Sequence, residues 1–275
     1  MIKEIKKPFL RWAGSKQKLI PRLLPYWGKG YRRYIEPFMG SAAFFFKLQP
    51  PSAILSDINC ELVETFIAVR DHPKAVHNNL GCFPLGEKNY YKIRALETNK
   101  MTLIERASHF IFLNRFCFNG LYRTNKNGKF NVPFSSYGTG GFPSLLDFYA
   151  YSRVLKNAIL KNEDFQEILI KEVREGDFVY LDPPYAIENR RVFSQYCPQT
   201  FGLNDIERLQ ETLKTLDKRK VKFVLSYALC KEAKSIFVGW NIRQVHTQRN
   251  ISGFAKHRRR AIELIISNFT CELTN

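Results

Sequence analysis

Residues 177–186, DFVYLDPPYA, place an acid directly after a short apolar segment. The aromatic and β-branched content before Asp182 is typical of a buried strand, and Pro183 must end the strand because proline has no N–H to donate. A carboxylate is therefore predicted at the carboxyl end of a strand, the edge where open α/β sheets bind ligands. The alternative is an extended exit loop with a solvated acid, and the pattern alone does not decide between them.

A second stretch, from Ile35 to Asp57, has the order of a nucleotide-binding unit. A strand-like segment leads to Gly40 and a short helical segment, and a second strand-like segment ends at Asp57. A carboxylate in that position accepts hydrogen bonds from ribose hydroxyls. Because PFMGSAAF lacks the repeated glycines that approach a pyrophosphate, an adenosine without phosphates fits better than NAD. S-adenosylmethionine is such a molecule.

The amino-terminal segment WAGSKQK (12–18) has a lysine after glycine and serine, as phosphate-binding loops do. The full spacing of a P-loop is absent, so ATP or GTP hydrolysis is not predicted. The alternative to a binding role is that Trp12 is an aromatic anchor and that Lys16 is a solvated surface charge.

If the cofactor is a methyl donor, Asp182 can assist methyl transfer to an amino group. The exocyclic amino group of adenine is a poor nucleophile, and two acceptors aimed at its N–H bonds would raise its reactivity and offset the charge that develops during transfer. Asp182 and the carbonyl of Pro183 are candidate acceptors. Pro183 and Pro184 stiffen the backbone, and Tyr185 offers a ring on which a base could stack, worth roughly 1–3 kcal/mol.

The composition points to a polyanionic partner. The chain of 275 residues has 43 Lys+Arg against 25 Asp+Glu, a formal net charge of +18, and nucleic acid is the expected partner. An anionic membrane surface is the alternative, but there is no apolar run of 18 residues and no basic amphipathic helix with a clean apolar face. The amino terminus lacks the apolar core of a secretory signal, so we expect a cytoplasmic protein.

The cysteines predict neither disulfides nor a metal site. The six cysteines show no C-x-x-C spacing and no metal-ligand spacing with the five histidines. We therefore expect free thiols and no bound metal.

Strand and helix signals alternate along most of the chain, which predicts an α/β fold with a mostly parallel sheet covered on both faces. The strand-like segments are residues 33–38, 53–59, 158–162, 177–182, 221–227, 241–248 and 261–268, and the helical segments are residues 41–48, 61–69, 143–156, 203–218 and 230–237.

Residues 70–142 interrupt the alternation. Residues 87–113 are predicted to be helical, and the following segment has Asn-Gly turns at 119 and 127 on either side of LYRTNK, which indicates a hairpin. We interpret this region as an inserted module that faces the substrate, with an ordinary surface excursion as the alternative.

An enzyme that modifies a base within duplex DNA must flip that base out of the helix. In the hairpin, Arg123 could contact guanine, Leu121 and Pro133 could contact a thymine methyl, and Lys126 and Lys129 could contact phosphates. Near the carboxyl end, Lys256, Arg258, Arg259 and Arg260 form a basic run between two predicted strands. Contacts to the DNA backbone are the favoured interpretation of this run, with a solvated face as the alternative.

Several segments, in order along the chain, resemble the DNA adenine N6-methyltransferases that methylate GATC. They are FLRWAGSK, YIEPFMGSAAF, LSDIN, NRFCFNGLYRTNKNGKFNVPF, VYLDPPY and RNIS. The resemblance covers residues 9–268, and the central block is typical of this group's target-recognition hairpin. Two positions depart from the family pattern, since the glycine loop reads MGSAAF and Ser15 replaces a second glycine in the WAGGK motif.

The resemblance implies a Rossmann-like S-adenosylmethionine-dependent methyltransferase sheet with an inserted helical and β-hairpin target-recognition domain. Residues 1–70 and 143–275 would form the catalytic domain, and residues 71–142 the recognition domain. It further implies S-adenosylmethionine as donor, S-adenosylhomocysteine as product, no metal, and double-stranded DNA as partner. Separately, we expect a monomer in solution. The rivals are an RNA or protein amino methyltransferase and a catalytically silent DNA-binding protein.

The resemblance also implies roles for individual residues. The implied catalytic residues are Asp182, Pro183, Pro184 and Tyr185; the implied cofactor-binding residues are Trp12, Lys16, Phe38, Gly40, Asp57, Asp164, Phe165 and Asp182. The implied DNA-binding residues are Arg11, Phe118, Asn119, Leu121, Arg123, Asn125, Lys126 and Pro133, together with the basic run at Lys256, Arg258, Arg259 and Arg260. Arg11 aligns with a base-contacting lysine, and Phe118 and Asn119 align with side chains that intercalate or replace the flipped adenine.

Overall fold

A computed structural model describes residues 4–28, 30–135, 140–184, 201–229, 237, 239–248 and 260–271. Its centre is a sheet with the strand order β3-β2-β1-β4-β5-β7-β6. The strands are β1 (Tyr34–Glu36), β2 (Ala53–Ser56), β3 (Ala158–Lys161), β4 (Phe178–Leu181), β5 (Lys222–Ala228), β6 (Asn241–Gln248) and β7 (Arg260–Ser267). Each lies within or beside a predicted segment.

The first five strands of the sheet are parallel, and β7 pairs antiparallel with both β5 and β6. Because β7 is antiparallel to both of its neighbours, β5 and β6 run in the same direction. The carboxyl ends of six strands therefore lie at one edge. This arrangement confirms the predicted Rossmann-like α/β sheet, with an antiparallel strand added between the fifth and the last.

The helices flank the sheet. They are α1 (Ile20–Leu23), α2 (Ala43–Leu48), α3 (Cys60–Asp71), α4 (Pro73–Gly81), α5 (Glu87–Arg94), α6 (Leu103–Phe116), α7 (Leu145–Leu155), α8 (Phe165–Lys171) and α9 (Leu203–Lys218). Short 3-10 turns occupy Leu24–Tyr26, Thr98–Lys100 and Phe118–Gly120. No described helix is long and apolar enough to cross a membrane.

Alternating strand residues face two separate cores. Tyr34, Tyr180 and Ile265 face a large core that includes residues of α1 to α7, whereas Ile35 and Leu181 face a smaller core formed with α8 and α9. The period of two in strand side chains produces this division. The inserted region shares the large core with the sheet, because α6 packs on α3 and α4.

The prediction of one helix over residues 87–113 is wrong. Two helices, α5 and α6, are separated by an irregular segment from Ala95 to Thr102. Thr102 begins α6 with a capping box, since its side chain accepts from the backbone of Glu105 and its own N–H donates to the Glu105 carboxylate at 2.7 Å. A capping box starts a new helix, so α5 does not continue through this segment, which contains only the 3-10 turn at Thr98–Lys100. Most of the predicted helix at 230–237 lies outside the described residues.

The hairpin is less regular than predicted. Isolated bridges join Thr124 to Phe130 and Cys117 to Phe134, and no continuous strands form among the described residues. Both predicted turns are present, because Asn119 has a φ of 54° and Gly128 has a φ of 74°.

The described cysteines, at positions 60, 82, 117 and 271, are free thiols. Cys197 and Cys230 lie outside the described residues.

Candidate active site

Two loops meet at the carboxyl edge between β1 and β4. These parallel strands are neighbours, yet the chain leaves β1 toward β2 on one side and β4 toward β5 on the other. Such a reversal of strand order opens a crevice that binds ligands in doubly wound sheets. Gly40 follows β1 and Asp182 follows β4, so the structure brings together the two stretches from which the sequence predicted chemistry.

The carboxylate of Asp182 is held by two side chains from distant parts of the chain. Lys16 Nζ lies 2.8 Å from Oδ1, and Ser226 Oγ donates to the same oxygen at 3.0 Å. Neither contact uses Oδ2, and the side chain keeps 20% of its surface exposed. Burial raises the pKa of Asp182, whereas the charge and hydrogen bond of Lys16 and the hydrogen bond of Ser226 lower it. On balance the pKa of Asp182 lies above its ordinary value, and the carboxyl group is supported on one oxygen and accessible to a ligand.

Behind Asp182, a buried pair of hydroxyls continues the network. Tyr180 on β4 and Ser226 on β5 are almost completely buried, and their oxygens are 3.0 Å apart. Sequence reasoning missed both residues. No local motif marks Ser226, because its role depends on the pairing of β4 with β5.

The second acid, Asp57, is fixed by backbone donors. Gly40 N donates to Oδ2 at 3.1 Å, and Asn59 N donates to Oδ1 at 3.0 Å. Burial raises the pKa of Asp57 to about 6 against the opposing effect of these backbone hydrogen bonds. Each carboxylate oxygen has two lone pairs, so both can accept a further hydrogen bond from a diol. This pair of acceptor oxygens fits the ribose hydroxyls of an adenosine cofactor.

Gly40 allows an aromatic side chain to approach the turn after β1. A Cβ at Gly40 would lie 2.8 Å from Cδ1 of Trp12, and the glycine has a φ of 44°. Trp12 also stacks on Phe110 and Tyr122, with ring centroids 6.3 and 6.0 Å away. The indole therefore connects the glycine loop with the inserted region. The two departures from the family pattern contact each other, since Ser41 Oγ donates to Ser15 Oγ at 3.3 Å.

The remaining predicted cofactor residues form a wall on the other face of the sheet. Phe38 stacks on Phe165 with centroids 5.1 Å apart. The guanidinium of Arg208 lies 4.9 Å from the centroid of Phe165 and donates to Asp164 at 2.7 Å. Asp164 also caps α8 by accepting from Gln166 N at 2.9 Å. Sequence reasoning missed Arg208, which comes from α9.

A third buried carboxyl, Glu36, lies at the end of β1 and was also missed. It is 3% exposed, and Tyr34 donates a hydrogen bond to it at 2.9 Å. Burial raises the pKa of Glu36 well above its ordinary value, and the charges of Asp182 and Asp57 raise it further. Burial and the two neighbouring acids thus disfavour the charged form of Glu36, which lies on the strand between those that lead to Asp57 and Asp182.

Arg11 lies against the end of α6, beside the turn at Asn119 and Gly120. Its backbone exchanges hydrogen bonds with the Asn114 side chain at 2.8 and 2.6 Å, and Nη1 donates to the Arg115 carbonyl at 3.0 Å. Asn119 is exposed and left-handed, with a φ of 54°. The segment implied to contact bases thus meets the segment implied to enter the duplex.

The structure gives several hairpin residues internal partners. Arg123 Nε donates to Asn131 Oδ1 at 2.6 Å, which orients the guanidinium along the hairpin. Asn125 Oδ1 accepts from Asn127 N and Lys129 N at 2.9 and 3.0 Å, so this side chain closes the turn. The other implied contacts range from exposed to half-buried: Phe118 and Leu121 are half-buried, and Lys126 and Pro133 are exposed.

Part of the predicted site lies outside the described residues. Tyr185, Lys256, Arg258 and Arg259 lie outside the described residues, and Arg260 is described as the first residue of β7 without its side chain. Pro183 is buried and Pro184 half-buried directly after Asp182. Within the described part of the chain, no three His, Cys, Asp or Glu side chains are grouped so that they could hold a metal ion.

The fold and the site together define a Rossmann-like methyltransferase, with the DPP segment and the glycine loop at the switch point of the sheet and Asp57 bound to that loop through Gly40 N. Residues 12–251 match the D12 class N6 adenine-specific DNA methyltransferases, and the chain belongs to this family. The match confirms the predicted family and the predicted enzyme class.

Three relatives align over almost the whole chain. A Type II methyltransferase of Lactococcus lactis, M1.LlaDCHI, is 31% identical over 96% of this chain and 95% of its own length. A Type II methyltransferase of Methanocaldococcus jannaschii, M.MjaIII, is 34% identical over 96% and 99%. A DNA adenine methylase of Haemophilus influenzae is 33% identical over 94% and 92%.

Proposed function

We propose that this protein transfers a methyl group from S-adenosylmethionine to N6 of an adenine flipped out of duplex DNA, within the sequence GATC. The observation that carries the proposal is the position of Asp182, held through Oδ1 by Lys16 and Ser226 at the switch point of the sheet. The family membership supports adenine in DNA as the target. The resemblance of the central block to the GATC-methylating group supports GATC as the recognised DNA sequence.

Asp182 and Pro183 act on the amino group. Oδ2 of Asp182 accepts a hydrogen bond from one N–H of the adenine, and the Pro183 carbonyl accepts from the other. Two acceptors localise the nitrogen lone pair, and the carboxylate offsets the positive charge that develops on N6. Lys16 favours the ionised form of Asp182, because its ammonium opposes the effect of burial on the carboxyl pKa. Tyr185 follows the prolines in sequence and supplies the ring on which the flipped base stacks.

The residues around the glycine loop bind the donor. Asp57 accepts the ribose hydroxyls, and Trp12 and Gly40 line the turn beside it. Phe38 and Phe165 provide apolar surface for the adenine of the cofactor, and Asp164 provides a carboxylate at its edge. S-adenosylmethionine supplies an electrophilic methyl group on a sulfonium, which requires no metal.

Residues 71–142 carry target recognition. Phe118 and Asn119, on the turn held against Arg11, enter the space left by the flipped base. Arg123, Leu121 and Pro133 read base edges in the major groove. Lys126 and the basic run of Lys256, Arg258, Arg259 and Arg260 contact the DNA backbone, whereas Asn125 shapes the turn that presents Lys126. The protein acts as a monomer on each strand of the site.

The experiment measures methyl transfer and DNA binding separately in the variant Asp182→Ala. Asp182→Ala removes the acceptor at the amino group, so we expect methyl transfer to be lost while the dissociation constant for GATC duplex stays within about threefold of wild type. Thermal unfolding of the variant checks that the fold is retained. Turnover by Asp182→Ala close to that of wild type would contradict the assigned role of the carboxylate.

A further inference from the structure

A basic groove lies between α1 and β6 and is lined by residues other than those assigned above. It has a volume of about 710 Å³, and its lining includes Lys18, Arg22, Arg243 and His246. None of the described residues that line it is acidic. The nearest carboxylate on the intervening strand is that of Glu263, which pairs opposite Val245 and is 5% exposed.

Strand register places this groove at the same sheet edge as Asp182. Ser226, Ile265 and Arg243 lie in one row across β5, β7 and β6. Neighbouring strands are about 4.8 Å apart, so the backbone of Arg243 lies roughly 10 Å from that of Ser226. Because Ser226 donates to Asp182, the row connects the groove with the candidate catalytic acid.

The amino-terminal segment makes a second connection. Lys16 reaches Asp182 with its side chain, and two residues later Lys18 lines the groove. Two residues span at most about 7 Å. Backbone hydrogen bonds from Leu19 and Ile20 to the Lys16 carbonyl, at 2.7 and 3.1 Å, fix the short turn between them. The groove therefore continues the candidate active site along the sheet edge toward β6.

We infer that this groove binds the phosphate backbone of the duplex next to the flipped adenine, an inference that rests on the proposed function. Three permanent cations and an imidazole suit a polyanion, and they disfavour a sulfonium cofactor that carries positive charge itself. A row of spaced cations along a groove, rather than one enclosed pocket, matches successive phosphates. Contacts of this kind position the DNA and carry no sequence information.

The test measures how strongly DNA binding depends on salt. The double variant Lys18→Gln/Arg22→Gln is compared with Lys218→Gln/Lys220→Asn, which removes the same charge at the opposite sheet edge, before β5. Fluorescence anisotropy with GATC and scrambled duplexes gives the slope of log K against log salt. Each lost phosphate contact reduces this slope by about 0.9, so we expect a reduction of about 1 to 2 in the groove variant alone, with equal loss of affinity on both duplexes.

The outcomes are distinguishable. An unchanged slope in the groove variant, or an equal change in the control variant, would overturn the inference. A loss confined to the GATC duplex would also overturn it, because it would indicate base reading. An RNA duplex is titrated in parallel, and a slope that fell for the RNA duplex alone would overturn the inference, because the partner would not be DNA. Methyl transfer by the wild type in the same preparations tests the proposed function independently, since a wild type that binds and methylates DNA keeps that function whatever the groove variant does.

Discussion

Lys16 Nζ lies 2.8 Å from Oδ1 of Asp182, so the amino-terminal segment and the end of β4 meet in one ion pair. The lysine side chain is 10% exposed and that of the aspartate 20%, and screening by solvent is therefore limited. This pair opposes the effect of burial on the Asp182 pKa. It makes the ionisation of the proposed catalytic acid depend on a residue from another part of the chain.

Replacing Lys16 is expected to move the pH profile of methyl transfer. Lys16→Gln removes the charge that lowers the pKa of Asp182, so that pKa rises. Transfer requires ionised Asp182, and the acidic limb of kcat/KM should therefore move to higher pH. Lys16→Arg keeps a cation and should move the limb less. Identical acidic limbs in wild type and Lys16→Gln would show that the ion pair does not set the charge of Asp182.

Ser226→Ala is expected to lower kcat by roughly 10- to 160-fold, since a hydrogen bond to a charged group contributes about 1.5–3 kcal/mol. Ser226 Oγ holds Oδ1 of Asp182 at 3.0 Å. Tyr180→Phe is the matched control, because it removes the hydroxyl next to Ser226 and keeps the contact with Asp182. The KM for S-adenosylmethionine should not change in either variant. A larger kcat loss in Tyr180→Phe than in Ser226→Ala would refute a direct positioning role for Ser226.

Asp57 should make cofactor affinity depend on pH. Its pKa of about 6 lies above its ordinary value of 3.8, so ionised Asp57, the form that accepts from both ribose hydroxyls, becomes dominant as pH rises through about 6. Calorimetry should show affinity for S-adenosylmethionine rising over this range. Asp57→Asn should bind more weakly and without that rise; a rise preserved in Asp57→Asn would assign the titration to another group.

The raised pKa of Asp57 affects folding stability in the opposite direction: higher pH favours cofactor binding but lowers the contribution of this group to the free energy of unfolding. The folded state holds the Asp57 proton more tightly than the unfolded chain, since the folded pKa is the higher one. The contribution of this group to stability is present below pH 3.8 and is lost as pH rises through about 6. Asp57→Asn removes this loss, so the difference in unfolding free energy between variant and wild type should move in favour of the variant from pH 4 to pH 7.

Gly120 and Gly128 provide a matched pair for the recognition region. Both have positive φ, 63° and 74°. A Cβ at Gly120 would lie 2.7 Å from Arg11 Cβ and 2.8 Å from its carbonyl oxygen, whereas a Cβ at Gly128 meets nothing within 4 Å. Gly128→Ala should cost only the backbone strain of about 1–2 kcal/mol. Gly120→Ala should cost about 1–3 kcal/mol more and should weaken binding to the GATC duplex, because Arg11 and the turn must move apart.

Denaturant unfolding and DNA titration of the two variants check this expectation. Equal unfolding free energies for Gly120→Ala and Gly128→Ala would show that the close approach to Arg11 does not constrain the turn. The two variants can be compared in unfolding free energy when their transitions have the same m-value, the slope of free energy against denaturant concentration.

Local patterns predicted most of the sheet and the two site acids. Asp57 and Asp182 each follow a short apolar strand, and that order is readable from adjacent residues. The helix break at Ala95–Thr102 was missed because apolar periodicity continues on both sides, and only the capping box shows where α6 begins. α4 and α8 are short amphipathic segments and were not predicted at all.

Contacts between distant residues could not be predicted in the same way. Ser226 is 44 residues from Asp182, and Arg208 is 44 residues from Asp164. Each pair meets because of sheet register or helix packing, which no single segment specifies. The basic groove has the same origin, since α1 and β6 come from opposite ends of the chain.

The central claim is tested most directly by transfer of labelled methyl groups from S-adenosylmethionine to three duplexes. One contains GATC, one contains GATC with its adenine already N6-methylated on both strands, and one contains a scrambled site. The proposed function predicts label in the first duplex alone. Label in the scrambled duplex would contradict the proposed recognition of GATC, and no label in any duplex would contradict DNA methylation by this protein.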